Sequence, residues 1–112
     1  AVITTGGNLK ARYVIHAVGP VHGMEHEDEK LKDATLNSLK LADKHNLRSI
    51  AFPAISTGVF GFPKDRCATI MLSTTIAYVK GPTKLERVVF CLYDQQTFKI
   101  FKETFENLVG KR

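Results

Sequence analysis

The chain has few cysteines and no long apolar run, and each shortage narrows its range of functions. Its 112 residues include two cysteines, Cys67 and Cys91, which lie in apolar surroundings on a predicted helix and a predicted strand. Buried free thiols are common in protein cores, so these cysteines favour a reduced, intracellular and cytoplasmic setting over a disulfide framework. No apolar run approaches the roughly 20 residues of a membrane span, and no signal-peptide pattern opens the sequence.

Several catalytic signatures are also absent. The sequence holds neither the G-x-x-x-x-G-K-[ST] pattern of P-loop nucleotidases nor the G-x-G-x-x-G pattern of dinucleotide-binding folds. Ser56 lies in a segment similar to a nucleophile elbow, but all four histidines precede it, against the Ser, Asp, His order of the hydrolases. His16, His22 and His26 lack the thiolates and the tight spacing of a structural zinc site. We therefore predict no metal and no cofactor, and identify no catalytic side chain.

Charge favours an anionic partner without identifying it. Sixteen lysines and arginines against eleven aspartates and glutamates give a formal net charge of +5 and a pI near 9.4. The basic residues are dispersed along the chain, and residues 25–33 form a strongly acidic stretch. Phosphorylated small molecules and nucleic acids both fit this balance.

The order of apolar segments and turns predicts a single α/β domain over residues 1–112. Two short strands joined by a turn rich in glycine and asparagine predict an antiparallel hairpin. Helices then alternate with two almost wholly apolar strands, the pattern of a sheet that is parallel in its C-terminal part and covered by helices on both faces. The predicted strands span residues 1–4, 12–18, 49–52 and 88–92. The fold class is a three-layer α/β/α sandwich with a mixed, largely parallel central sheet.

Three helices are predicted from their apolar stripes. The first covers residues 27–45, the second begins near Pro63, which suits a first helical turn, and the third is C-terminal. The stripe of the third helix has the spacing of a core-facing helix, unlike the exposed aromatics, interleaved with basic residues, of nucleic-acid-binding surfaces. We expect its members to be buried: Phe98, Phe101, Phe105 and Leu108.

The connection over residues 54–63, which we call the 54–63 loop, is the most informative segment of the chain. It follows an apolar strand, precedes a helix, and reads Ala-Ile-Ser-Thr-Gly-Val-Phe-Gly-Phe-Pro. Glycines let backbone N–H groups face an anion, and the following helix presents the positive end of its dipole. This combination suits a diphosphate, and the two aromatic residues are placed to pack against an attached sugar.

A second connection is expected at the same edge of the sheet. Ligands of such sheets gather outside the carboxyl ends of the strands, where Tyr93 and Asp94 also fall. Tyr93 is either a cap on the core or an aromatic platform for a base, with Asp94 beside it as a hydrogen-bond acceptor. Together the two connections would hold a nucleotide diphosphate.

Two motifs carry a resemblance to a known family. Residues 14–20 (Val-Ile-His-Ala-Val-Gly-Pro) and residues 52–63 resemble the macrodomain, the ADP-ribose-binding module also called the Appr-1"-p processing family. The resemblance covers essentially the whole chain. It implies an α/β/α fold that binds ADP-ribose at the strand ends, with Phe60 near the distal ribose and Tyr93 near the adenine. The ligand-binding residues it implies, with Asp94 added from the reasoning above, are Ser56, Thr57, Gly58, Val59, Phe60, Gly61, Tyr93 and Asp94.

The resemblance also implies activities and a departure. Many macrodomains with this loop remove ADP-ribose from modified proteins or deacetylate O-acetyl-ADP-ribose, so the intact domain is expected to be such a hydrolase. The family's N-terminal third, with its asparagine motif and second glycine-rich loop, is not in this sequence, so an N-terminal complement of the domain is expected as a partner. Two alternatives stay open: a reader of ADP-ribosylated proteins without turnover, and an RNA- or poly(ADP-ribose)-binding domain.

Overall fold

Strands and helices follow one another in the predicted order. The structure is a computed structural model that describes residues 2–5, 13–16, 23, 25–55, 57, 61–92 and 94–110. Within these residues the elements are β1 (Val2–Thr5), β2 (Tyr13–His16), α1 (Glu27–Lys44), β3 (Ser49–Phe52), α2 (Lys64–Val79), β4 (Arg87–Phe90) and α3 (Gln95–Val109). The described helices include none that is long and apolar enough to cross a membrane.

Both predicted strand pairings are confirmed. Strands β1 and β2 pair antiparallel, with Val2 opposite His16, and β3 and β4 pair parallel, with Phe52 opposite Phe90. The Cys91 amide donates to the Phe52 carbonyl over 2.7 Å, which carries the contact one residue beyond β4. Among the described residues these pairs form two separate two-stranded sheets, one antiparallel and one parallel.

The core lies where α2 packs against α1 on one side and α3 on the other. The first turn of helix α1 is acidic, which suits the positive end of the helix dipole, and the chain leaves the helix through Asn46 in a left-handed conformation (φ 58°). Because α2 has a helix on each side, it is buried over more than one stripe. The buried apolar cluster comprises Leu31, Leu39, Phe52, Phe62, Cys67, Ala68, Met71, Leu72 and Phe101.

Helix α3 departs from the expectation of a fully buried stripe. Phe101 is 3% exposed, but Phe98 is 56%, Phe105 46% and Leu108 42% exposed. Phe98 and Phe105 line an apolar groove of about 510 Å³ between α2, α3 and β4. Burial of these three side chains was therefore a wrong prediction, because no other element that the structure describes covers this side of α3.

A polar cluster holds the ends of α1 and α2 together. The carboxylate of Asp43 accepts hydrogen bonds from the Tyr78 hydroxyl, from Thr83 Oγ1 over 2.6 Å and from the Lys84 amide over 2.8 Å. Burial raises the pKa of Asp43, but these hydrogen bonds and the Lys84 charge outweigh it and lower that pKa overall. The cluster attaches the connection between α2 and β4 to the last turn of α1.

Candidate functional site

The candidate site lies at the carboxyl ends of β3 and β4. Because these strands are parallel, Ala54, shortly after β3, and Asp94, shortly after β4, follow strand ends at the same edge of their sheet. The structure describes three of the predicted ligand-binding residues, Thr57, Gly61 and Asp94. The others lie outside the described residues, and their roles stay predictions: Ser56, Gly58, Val59, Phe60 and Tyr93.

The start of the 54–63 loop is folded on itself. The hydroxyl of Thr57 donates to the carbonyl of Ala54 over 2.9 Å, and the Thr57 amide approaches the same oxygen at 3.4 Å. The thiol of Cys67, on α2, donates to the carbonyl of Ile55 over 3.4 Å. The Thr57 side chain therefore shapes the loop, while its hydroxyl oxygen keeps acceptor capacity for a ligand.

The end of the 54–63 loop passes through a conformation that favours glycine. Gly61 has φ +71°, and a Cβ added there would meet no atom within 4 Å. Phe62 follows and is 1% exposed within the core, so of the two aromatic residues expected against a sugar, this one packs inside the protein instead. Proline has no hydrogen-bonding side chain, so Pro63, directly before α2, leaves the first amides of that helix without a cap of its own.

Asp94 has a structural role at the second connection. Its Oδ1 accepts the Thr97 amide over 2.8 Å, which caps α3, and its Oδ2 lies 3.7 Å from Lys64 Nζ. The hydrogen bond from the Thr97 backbone is the main reason that the pKa of Asp94 is lowered, with the Lys64 charge contributing. The carboxylate is thus ionised at neutral pH. Its expected contact with a base stays a prediction.

Lys64 is a residue of this region that the sequence reasoning missed. It is the first residue of α2, and its ammonium group also donates to Gln96 Oε1 over 3.3 Å. It therefore links the exit of the 54–63 loop to the first turn of α3. The capping role of Asp94 had a signal in the sequence, because an aspartate directly before a predicted helix is a frequent N-cap. The contact with Lys64 had none.

The described residues at this edge offer neither an activated nucleophile nor a metal site. Burial raises the pKa of the Cys67 thiol to about 12, which makes it a poor nucleophile at neutral pH. A search of the described residues finds no group of three or more His, Cys, Asp or Glu side chains able to hold a metal ion. The arrangement instead offers backbone amides and helix N-termini, which suit the binding of an anion.

The two loops, their parallel strands and the helices behind them match a known family. A family model described as Macro domain matches residues 1–71. The chain belongs to the macrodomain family. The sequence-based recognition and the predicted fold class are therefore confirmed.

Relatives of this macrodomain include an enzyme and two proteins solved with nucleotides. An O-acetyl-ADP-ribose deacetylase of Klebsiella pneumoniae is 51% identical over 104 residues, covering 91% of this chain and 59% of that protein. The Oceanobacillus iheyensis macrodomain with ADP matches at a TM-score of 0.95 and 34% identity, over 99% of this chain and 59% of that one. The Trypanosoma brucei macrodomain in complex with ADP-ribose matches at a TM-score of 0.84 and 33% identity, over 90% of this chain and 43% of that one. The chain thus spans about three fifths of the curated relatives it matches.

Proposed function

We propose that this macrodomain binds ADP-ribose at the edge where β3 and β4 end. The observation that carries the proposal is that a parallel strand is followed by Gly61 at φ +71° and then by the first turn of α2, whose N-cap, Pro63, supplies no side-chain hydrogen bond. Backbone amides and a helix dipole at such a turn favour a diphosphate. The Trypanosoma brucei relative, solved with ADP-ribose, supports the same ligand.

The proposed contacts divide the ligand between the two connections. The amides of residues 56–61 surround the diphosphate and the distal ribose, and Phe60 packs near that ribose. Tyr93 stacks near the adenine, and Asp94 accepts a hydrogen bond there with the oxygen that faces Lys64. Asp94 Oδ1 is already engaged by the Thr97 amide, which leaves Oδ2 for this contact.

For the intact domain we propose hydrolysis of ADP-ribosyl or O-acetyl-ADP-ribose esters. The Klebsiella pneumoniae deacetylase supports this activity. The lowered pKa of Asp94 and the raised pKa of Cys67 make both side chains poor candidates for base or nucleophile. We therefore propose that turnover depends on a water positioned by the loop and the ligand. A reader without turnover is the alternative, and release of ADP-ribose from a modified protein distinguishes the two.

Two further parts of the proposal concern partners and setting. Because the relatives are longer than this chain, we propose that an N-terminal complement supplies the rest of the cleft; a longer chain should then bind ADP-ribose more tightly. We also propose a cytoplasmic, reducing setting, which the buried free thiol of Cys67 supports; Cys91, expected in apolar surroundings, is exposed. Recovery of the protein in the cytosolic fraction, with both thiols open to alkylation after unfolding, tests the setting.

Calorimetry with ADP-ribose tests the ligand assignment. Gly58→Glu puts a side chain and a negative charge into the proposed anion loop, so we expect it to abolish measurable binding. Gly81→Glu is the matched control, because it makes the same change in the exposed connection after α2, where a new Cβ meets only the Tyr78 carbonyl at 3.6 Å. Equal affinity of Gly58→Glu and the wild type would overturn the assignment.

Competition and salt separate this proposal from RNA or poly(ADP-ribose) binding. A polyanion on a basic surface binds with a steep dependence on salt concentration, because counterions are released. Binding of labelled RNA that falls steeply with salt and is not displaced by free ADP-ribose would favour the nucleic-acid reading. Displacement by ADP-ribose supports the site proposed here.

A further inference from the structure

Arg66 connects the end of the 54–63 loop to the first turn of α1. Its Nη1 donates to Glu27 Oε1 over 2.9 Å, and its Nη2 donates to Asp28. Its guanidinium carbon also lies 5.1 Å from the centroid of the Phe62 ring. One planar group thus contacts an aromatic ring from the loop and two carboxylates from α1, which lie 39 and 38 positions before Arg66 in the sequence.

Two of the groups that Arg66 contacts, Glu27 and Phe62, are largely buried, whereas Asp28 is exposed. Glu27 is 13% exposed, and its second oxygen accepts the amide of Gly23 over 2.6 Å, so the same carboxylate also holds the segment before α1. Phe62 belongs to the buried core and directly follows the left-handed Gly61. The face of Phe62 that meets Arg66 therefore joins the last residues of the loop to a charged side chain of α2.

The charges around Arg66 argue against a direct role in anion binding. A positive side chain in the first turn of a helix is unfavourable to the helix dipole, so its position needs another explanation. Glu27 and Asp28 lie within ion-pair distance and compensate its charge. A guanidinium that contacts two carboxylates and an aromatic ring is suited to fix the position of that ring relative to α1.

We propose that Arg66 is a positioning residue for the 54–63 loop, holding Phe62 and thereby the preceding backbone in the conformation that receives the diphosphate. The proposal rests on ADP-ribose binding by this loop. In this proposal, side chains of α1 that do not touch the ligand fix the conformation of the last residues of the loop.

Four variants of the full chain test the proposal by calorimetry with ADP-ribose. In Arg66→Met and in Arg66→Lys, which cannot contact both carboxylates with a planar fork, we expect Kd to rise about fivefold. In Glu27→Gln we expect a rise of about threefold, although the change removes a negative charge near the proposed anion site. Arg48→Met is the control, since it removes the same charge from an 80% exposed side chain directly before β3, at the opposite end of that strand.

The direction in which Glu27→Gln changes the Kd for ADP-ribose distinguishes a positioning role of Arg66 from a purely electrostatic one. If Arg66 acted only through its charge, Arg66→Lys would keep wild-type affinity and Glu27→Gln would bind ADP-ribose more tightly; either result overturns the proposal. Hydrogen exchange of the Gly61 and Phe62 amides supplies a readout without ligand, and we expect faster exchange in Arg66→Met and Glu27→Gln.

The two proposals fail in different ways. If the wild-type chain binds no ADP-ribose, the proposed function fails, and with it the claim that Arg66 prepares the loop for a diphosphate. The exchange rates then test the remaining structural claim: unchanged rates overturn a role of Arg66 in holding the end of the loop, and faster rates support that role alone. If the wild type binds and Arg66→Met binds equally well, the function stands and the positioning role is overturned. Should Arg66→Met fail to fold, Glu27→Gln carries the same test.

Discussion

Two phenylalanines on one face of α3 should respond very differently to the same substitution. Phe101 is 3% exposed, and its ring centroid lies 5.7 Å from that of Phe90. Replacing a fully buried phenylalanine with alanine costs about 3–5 kcal/mol, because apolar surface is lost from the core and a cavity remains. Phe105, one helical turn later, is 46% exposed, so Phe105→Ala leaves no enclosed cavity and should cost about 1 kcal/mol or less.

Urea denaturation followed by far-ultraviolet circular dichroism measures both losses. The comparison is internally controlled, since both changes remove the same side chain from the same helix and alter its intrinsic propensity equally. A protein of this size is stable by about 5–15 kcal/mol, so Phe101→Ala should lower the urea midpoint strongly and Phe105→Ala only slightly. Equal losses would refute the reasoning, because they would mean that Phe105 is covered in solution.

Two further substitutions test local features of the described chain. Gly61→Ala should destabilise the protein by about 1–2 kcal/mol through its left-handed backbone and not through a clash, since the space is open; Gly81→Ala, whose φ is not left-handed, is the control, and equal urea midpoints for the two would contradict this. Asp43→Asn should lower stability at neutral pH by about 1–3 kcal/mol. The folded-state pKa of Asp43 is lowered, so this contribution is complete above its unfolded pKa of about 3.8 and is lost as pH falls through the folded pKa. Urea midpoints of the two proteins should therefore converge below about pH 3.8, and a constant gap would refute the assignment.

Local patterning predicted the secondary structure closely where one face of an element meets the core. Strand β3 has the predicted bounds. Of the apolar stripe predicted for α1 (Leu31, Ala34, Leu39, Leu41 and Ala42), all but Leu41, which is half-buried, are buried. The stripe predicted for α2 comprised Cys67, Ile70, Met71, Thr74 and Tyr78, of which Ile70 and Tyr78 are half-buried. The helix also buries Ala68 and Leu72 outside that stripe, because α1 and α3 pack on both of its sides. Sequence periodicity indicates which face of a helix is apolar, but how much of the helix is buried depends on how many elements pack against it.

The same limit explains the error on α3. The stripe of Phe98, Phe101 and Phe105 has core spacing, yet only Phe101 reaches the core of the described chain. An apolar helix face shows that its side chains can be buried, but they become buried only where another element packs against that face. The prediction therefore failed at the groove between α2, α3 and β4, where the described residues supply no such element.

Polar contacts between distant residues were beyond the sequence reasoning for a different reason. Asp43 and Tyr78, and likewise Glu27 and Arg66, are separated by 35 and 39 positions and follow no period. Each becomes recognisable only when two helix ends are known to be adjacent. The glycine-rich loop, by contrast, was recognisable because its residues are consecutive.

The ion pairs at the candidate site bear on how the proposed anion would be bound. The net charge of +5 suggests attraction by basic side chains, but both basic residues in the first turn of α2 face carboxylates: Lys64 faces Asp94, and Arg66 faces Glu27 and Asp28. Their ion pairs thus connect the N-terminus of α2 to the N-termini of α1 and α3. Among the described residues, the groups that remain for the proposed diphosphate are backbone amides at the end of the 54–63 loop and at the start of α2. Affinity should then depend on loop geometry more than on the number of cations, so ADP-ribose binding should vary less with salt than binding to a basic surface does.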